Sequence, residues 1–241
     1  TDIFVYINNV RDKYLDWDVD RYEAAHLAEL FRTGRPSIDL APDLIKAFKY
    51  QKQCADRRFK YYDLLNNLGQ CLNWLGIFYS NGLGNPVDHD LANASYFSAH
   101  DLGNIWAAGN IGESYEEGTL GEVDFEKALN WYEKSYARGN NAVTQDLGRL
   151  YELGMGVTPD YKKAAEYYRL SVNFDDPYPE ALLNLAGLIE RGLISGTLEE
   201  AAALLLQATK KNDEYETQSS GEIERTYQKI AMARLKNLKK R

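Results

Sequence analysis

The chain has 241 residues, 44% of them apolar and 27% charged, with six prolines and a net charge of −8. That length can bury a sizeable core without metal or disulfide. The acidic balance argues against a non-specific nucleic-acid binder, which needs surplus Lys and Arg to neutralise phosphates, and against an anionic membrane surface.

Residues 1–19 read as an N-terminal helical segment. Their opening T-D-I-F-V-Y is too short and too polar-flanked for a signal peptide. A cytoplasmic location is therefore expected, or a periplasmic or secreted one if a signal peptide preceded Thr1. No run along the chain approaches the ~18 consecutive apolar residues of a membrane span. From Leu27 the chain reads L-A-E-L-F-R-T-G, followed from Asp43 by D-L-I-K-A. Cys54 and Cys71 show neither C-x-x-C nor zinc spacing. They could meet across two packed helices, but a reduced, buried thiol at each position is the expectation.

From residue 70 a period emerges. L-G-I-F-Y-S-N-G starts at Leu75, I-G-E-S-Y-E-E-G at Ile111 and L-G-R-L-Y-E-L-G at Leu147, so Gly76, Gly112 and Gly148 are 36 apart. Asp88, Asp124 and Asp160 keep the same spacing, each followed by Ala four residues on and Tyr after four more (Tyr96, Tyr132, Tyr168). A worn copy runs from Leu185, L-A-G-L-I-E-R-G, and continues from Thr197 as T-L-E-E-A. Gly34 and Gly82 lie 48 apart, so about twelve residues are inserted after the first worn copy. Part of the insertion lengthens the loop around Pro36 to Pro42 and the rest lengthens the helical stretch through residues 56–79.

Each unit predicts two antiparallel helices. Leu147, Leu150 and Tyr151 fall at i, i+3, i+4 on the first, and Ala128, Trp131, Tyr132 and Ser135 trace the buried stripe of a second. Gly82, Gly118 and Gly154 are expected to end first helices in the left-handed conformation. Asp88, Asp124, Asp160 and Thr197 are expected to cap second helices. Glycine at the second place of L-G-x-x-Y costs ~1 kcal/mol against Ala, which makes sense if another helix must approach there. Neither helix can bury its face alone, so stacking of units completes the core. Residues 175–179, D-D-P-Y-P, replace the usual closing G-N and must bend the chain. Ile223, Tyr227, Ile230, Ala231 and Leu235 form the apolar stripe of a last helix.

These residues resemble the Sel-one-like repeat (SLR) family, relatives of the tetratricopeptide repeat. The resemblance implies an all-α fold: a right-handed α-α superhelix, or solenoid, of about five helix-turn-helix repeats. The solenoid would span residues 20–212, with repeats at about 20–58, 70–104, 105–140, 141–176 and 177–212. Residues 213–241 would form a C-terminal capping helix.

No catalytic set is apparent. His26, His89 and His100 lack any i, i+4 pairing or ligand set for zinc. No G-x-S-x-G elbow occurs, and the G-x-G pairs at Gly82/Gly84 and Gly154/Gly156 follow helices, so they are turns rather than phosphate loops. Adjacent carboxylates such as Glu116 and Glu117 point apart on a helix. N-A-S at Asn93 is formally a glycosylation sequon inside a helix, and a chance match is expected. The pattern tyrosines are expected to pack in the core. No cofactor or metal is expected, and the chain is read as a non-enzyme.

The resemblance implies a protein or peptide partner bound on a concave face lined by first helices. The positions it leaves free are Tyr22, Glu29 and Arg32; Asn73 and Ser80; Trp106, Glu113 and Glu116; Gln145, Arg149 and Glu152; and Glu190. That face is mostly acidic, with Trp106 as an apolar anchor, and suits a basic surface. Two alternatives stand beside this interaction scaffold. One is a bacterial immunity or chaperone-like protein that neutralises one effector. The other, a β-lactam-related enzyme like the cysteine-rich SLR proteins, is disfavoured because the clear repeats hold Cys71 alone.

Overall fold

A computed structural model describes Ala28, Arg32 and residues 43–55, 65–172, 178–209 and 220–238. Among the described residues there are ten α-helices and no strand. The chain divides into two compact units, Thr1–Val123 and Asp124–Arg241. The expected segment 1–19, most of the worn copy at 27–34, the loop around 36–42 and the bend at 175–177 lie outside the described residues. So does the inserted stretch 56–64.

The first unit holds α1 (Leu44–Ala55), α2 (Leu65–Asn81), α3 (His89–Asp101) and α4 (Ala107–Glu117). The α2–α3 hairpin is its centre, with α1 packed on α2 and α4 on α3. Leu75, Phe78, Ala99 and Ala107 are buried in its core, with Phe48 stacked on Phe78. Gly76 is where the two helices of the hairpin meet: a Cβ there would overlap the Tyr96 ring, so the glycine of L-G-x-x-Y makes room for the aromatic of the second helix.

Cys54 and Cys71 correct the expectation of two reduced thiols. They form a disulfide joining α1 to α2, with Cα atoms 5.5 Å apart. The packing of α1 on α2 places the two positions face to face, a separation typical of disulfides. Sequence spacing alone carries no trace of that approach.

The second unit holds α5 (Phe125–Ala137), a short 3-10 turn (Asn141–Val143), α6 (Thr144–Leu153), α7 (Tyr161–Val172), α8 (Pro179–Glu190), α9 (Leu198–Gln207) and α10 (Ser220–Leu238). Hairpins α6–α7 and α8–α9 stack through α7 and α8, and α10 lies on α9 and α8. Leu147, Leu150, Tyr168, Leu182, Leu185 and Leu205 are fully buried.

The predicted caps form as expected. Asp88, Asp124, Asp160 and Thr197 accept from the backbone N–H of Leu91, Lys127, Lys163 and Glu200 at 2.9–3.1 Å. The N–H of Lys127, and then its ammonium, hold the Asp124 carboxyl below its ordinary range. Gly118 and Gly154 end α4 and α6 at φ 75° and 69°. The closing asparagines have a physical role too. Asn104 Oδ1 accepts from the N–H of Trp106 and Ala107, and Asn140 bonds Ser135 Oγ and the N–H of Ala142. Each turns the chain from a second helix into the next first helix.

Three sequence expectations are refined. Tyr96, Tyr132, Tyr151 and Tyr168 are buried as expected, but Tyr79 and Tyr115 are only half-buried. Asn93 is buried and donates to the Thr119 carbonyl at 3.0 Å, so the sequon has no accessible amide. On the last helix Ala231 is buried, but Ile230, placed on the same stripe by its spacing, is 42% exposed. The stripe meeting α8 and α9 instead runs through Ala231, Arg234, Leu235 and Leu238.

Candidate functional site

The first-helix face of the first unit is built on α4. Asn104 fixes the backbone at Trp106, and the indole is left 46% exposed beside the helix start. One turn on, Asn110 Nδ2 donates to Asn73 Oδ1 of α2 at 2.8 Å. Asn73 is buried, so this amide pair registers the two first helices against each other. Glu113 follows, exposed, with Glu116 half-buried beyond it. Trp106, Asn110 and Glu113 thus form one stripe at i, i+4, i+7.

Behind the stripe, Tyr96 reaches from α3 to Ser80, with their oxygens 3.1 Å apart. Burial pushes the Tyr96 phenol up to about 12; Ser80 works against this, and the carboxylates of Glu113 and Glu117 add to it. The face is therefore acidic around a neutral hydroxyl. Arg32, the described member of its predicted trio, lies 5.2 Å over the half-buried Trp74 ring. Tyr22 and Glu29 lie outside the described residues.

In the second unit the equivalent positions are engaged by other side chains of that unit. Gln145 donates to Glu180 at 2.6 Å, and Arg149 reaches Asp146 at 3.4 Å. Glu152 accepts from the Tyr168 hydroxyl and from Arg191, both at 3.0 Å, and its side chain is 11% exposed. Asn184 donates to the same tyrosine oxygen. Burial, with the Glu152 carboxylate second, pushes the Tyr168 phenol well above its ordinary value. Glu190 pairs with Arg234 of α10 at 3.2 Å, while the same guanidinium donates to the Leu183 carbonyl at 2.9 Å.

Asn110, Asn184 and Arg234 were missed in the sequence. Asn110, Asp146 and Asn184 all stand two places before the small residue of their repeats (Gly112, Gly148, Ala186), so a polar register was there to be found. Nothing in the pattern marked Arg234.

Among the described residues no group of three or more His, Cys, Asp or Glu side chains could hold a metal ion. No helix there is long and apolar enough to cross a membrane.

The stacked hairpins, their Gly–Tyr contacts and Asp caps match one known unit. The Sel1 repeat model fits residues 69–94, 107–140, 145–173 and 179–213, just over half of the chain. The chain belongs to the Sel1 repeat family. Its all-α helical-repeat fold follows from that membership, and Sel1 repeats are generally protein–protein interaction modules on a typically non-enzymatic scaffold.

Two solved structures share this fold. A Sel1 repeat protein from Oxalobacter formigenes superimposes with a TM-score of 0.64 at 23% identity, covering 78% of this chain and 71% of its own. A protective antigen of SLR fold present in uropathogenic Escherichia coli strains gives 0.62 at 20% identity, covering 89% of this chain and 48% of its own. An immunity protein from Pseudomonas aeruginosa gives only 0.44 at 21% identity, covering 90% of this chain and 68% of its own. The first two bear on the fold alone, and the third carries no argument. Among curated proteins none matches.

Proposed function

We propose that the chain is a protein-binding module that takes a basic segment of its partner on the first-helix face of its first unit. The stripe on α4 carries this reading: a half-exposed indole followed by carboxylates on a backbone held by Asn104 and Asn110. An exposed aromatic on a rigid element is the kind of side chain that dominates interface energy. Neighbouring carboxylates steer a cationic partner and fix its register. The Glu152 carboxylate of the second unit is bonded by Tyr168 and Arg191 and only 11% exposed, so it offers less surface to a ligand.

The test is to recover the partner on the full-length chain and measure its affinity for variants by calorimetry. Trp106→Ala is expected to weaken binding by ~30-fold or more, as for an aromatic anchor. Glu113→Lys with Glu116→Lys is expected to weaken it and to flatten its salt dependence. Glu152 is left intact, because reversing its charge would break the Tyr168 network and confound the result. Unchanged affinity in both variants, with helical content preserved, would reject this face. Recovery of one toxic effector would narrow the reading to a neutralising protein.

A further inference from the structure

We propose that Cys54–Cys71 is a structural crosslink made in an oxidising compartment, where it fastens α1 to the repeat stack. Three observations converge. The two cysteines are the whole cysteine content of the chain, and they pair with each other. Both are buried, at 0% and 3% exposure, within a core that includes Ala47, Leu72 and Phe78. The crosslink lies in the contact between α1 and α2. α1 contributes small residues, Ala47 and Ala55, with Phe48, while its Ile45 is 72% exposed.

Burial separates this pair from a redox-active one. A catalytic or sensing disulfide must admit an attacking thiolate, and so sits exposed in an electropositive setting. Here the sulfurs are enclosed by apolar side chains, and the Cys71 carbonyl is bonded by the buried Gln51 amide at 2.7 Å. Such a bond persists once made, and structural disulfides are rare where glutathione and thioredoxin keep thiols reduced. The expectation of a cytoplasmic location gives way, in this proposal, to an oxidising one.

Formation has to precede burial. The two thiols lose two protons and two electrons as the S–S bond forms. The electrons pass to the disulfide of a thiol–disulfide oxidoreductase, which leaves as its dithiol. The bridged residues are 17 apart, and closing a loop of that length stabilises the folded form roughly 100-fold over the reduced chain.

The experiment is acid quenching of intact producing cells, alkylation of free thiols under denaturing conditions with N-ethylmaleimide, and peptide mass mapping without reduction. The expected result is a Cys54–Cys71 linked peptide as the dominant species. Alkylation of both cysteines in most molecules would overturn the proposal, whatever pairing appears after purification. A second measurement uses purified full-length chain. Reductant should lower the urea midpoint and speed proteolysis between residues 43 and 71, and Cys54→Ala/Cys71→Ala should reproduce both effects without reductant. If neither reductant nor the double variant moves midpoint or cleavage, the fastening role is wrong.

Discussion

Gly148→Ala tests the repeat's central contact, and Gly187→Ala is its internal control. Both glycines lie in helices of the second unit, α6 and α8, so both variants report on the same half of the chain. On helix propensity alone each substitution should stabilise by about 1 kcal/mol. At Gly148, however, the new Cβ would stand 2.6 Å from Cδ1 and Cε1 of Tyr168. That is about 1 Å inside the usual 3.5–4.0 Å contact between carbons. The ring has no room to retreat, because Tyr168 is fully buried and its hydroxyl is held by Glu152 and Asn184. Overpacking of this kind costs about 1–3 kcal/mol, and a pinned ring puts it at the upper end. The net expectation is a loss of ~1–2 kcal/mol. At Gly187 the nearest atom is Nη2 of Arg234, at 3.3 Å, which needs to give by only a few tenths of an ångström, a shift its contacts with Glu190 and the Leu183 carbonyl can follow. There the propensity gain should survive, giving a change between zero and about +1 kcal/mol. Urea unfolding followed by circular dichroism would read both midpoints. A Gly148→Ala protein as stable as wild type would refute the account of why glycine occupies that place.

Two further outcomes follow from the same contacts. Arg234→Ala should destabilise the second unit by about 1–3 kcal/mol, because it strips partners from the Glu190 carboxylate and the Leu183 carbonyl. Cleavage by protease within α10 should rise in parallel, and an unchanged cleavage rate would show that the latch is idle. At alkaline pH the Tyr96 phenol, pushed up to about 12 by burial, keeps its proton in the folded chain after an unfolded one releases it near 10. Its contribution is full below pH ~10 and is lost as pH rises toward 12. Phenolate absorbance near 295 nm should therefore show the last tyrosines ionising together with loss of helical signal; full ionisation while the helices persist would contradict this.

Much of the fold was legible because the unit repeats. A position that recurs every 36 residues as Gly, Asp, Ala or Tyr must meet the same surroundings each time. Its role can therefore be argued from chemistry: Asp for a free N–H, Gly for a close approach or a left-handed turn. Legibility ended where the period does. The Cys54–Cys71 bridge joins α1 to the first clear repeat across the inserted stretch, where no register relates the two positions. Ile230 failed for a related reason. Its helix lies outside the 36-residue register, so helical spacing alone does not say which side of the stripe is covered.

The site was legible only to the level of the helix face, and the structure shows why. Side chains at the free positions of a first helix have two possible uses, to contact a ligand or to contact the next hairpin. Polarity does not distinguish them, since Glu113 and Glu152 are the same residue at neighbouring places of the pattern. What separates them is their exposure in the folded chain. Glu152, bonded by Arg191 and by Tyr168 of its own hairpin, is 11% exposed, whereas Glu113 is exposed on α4. The same division explains Glu190, matched by Arg234 from a helix with no repeat signature at all. Free in the pattern thus does not mean exposed in the fold, and on the proposed reading it is the positions still exposed after stacking that would meet a partner.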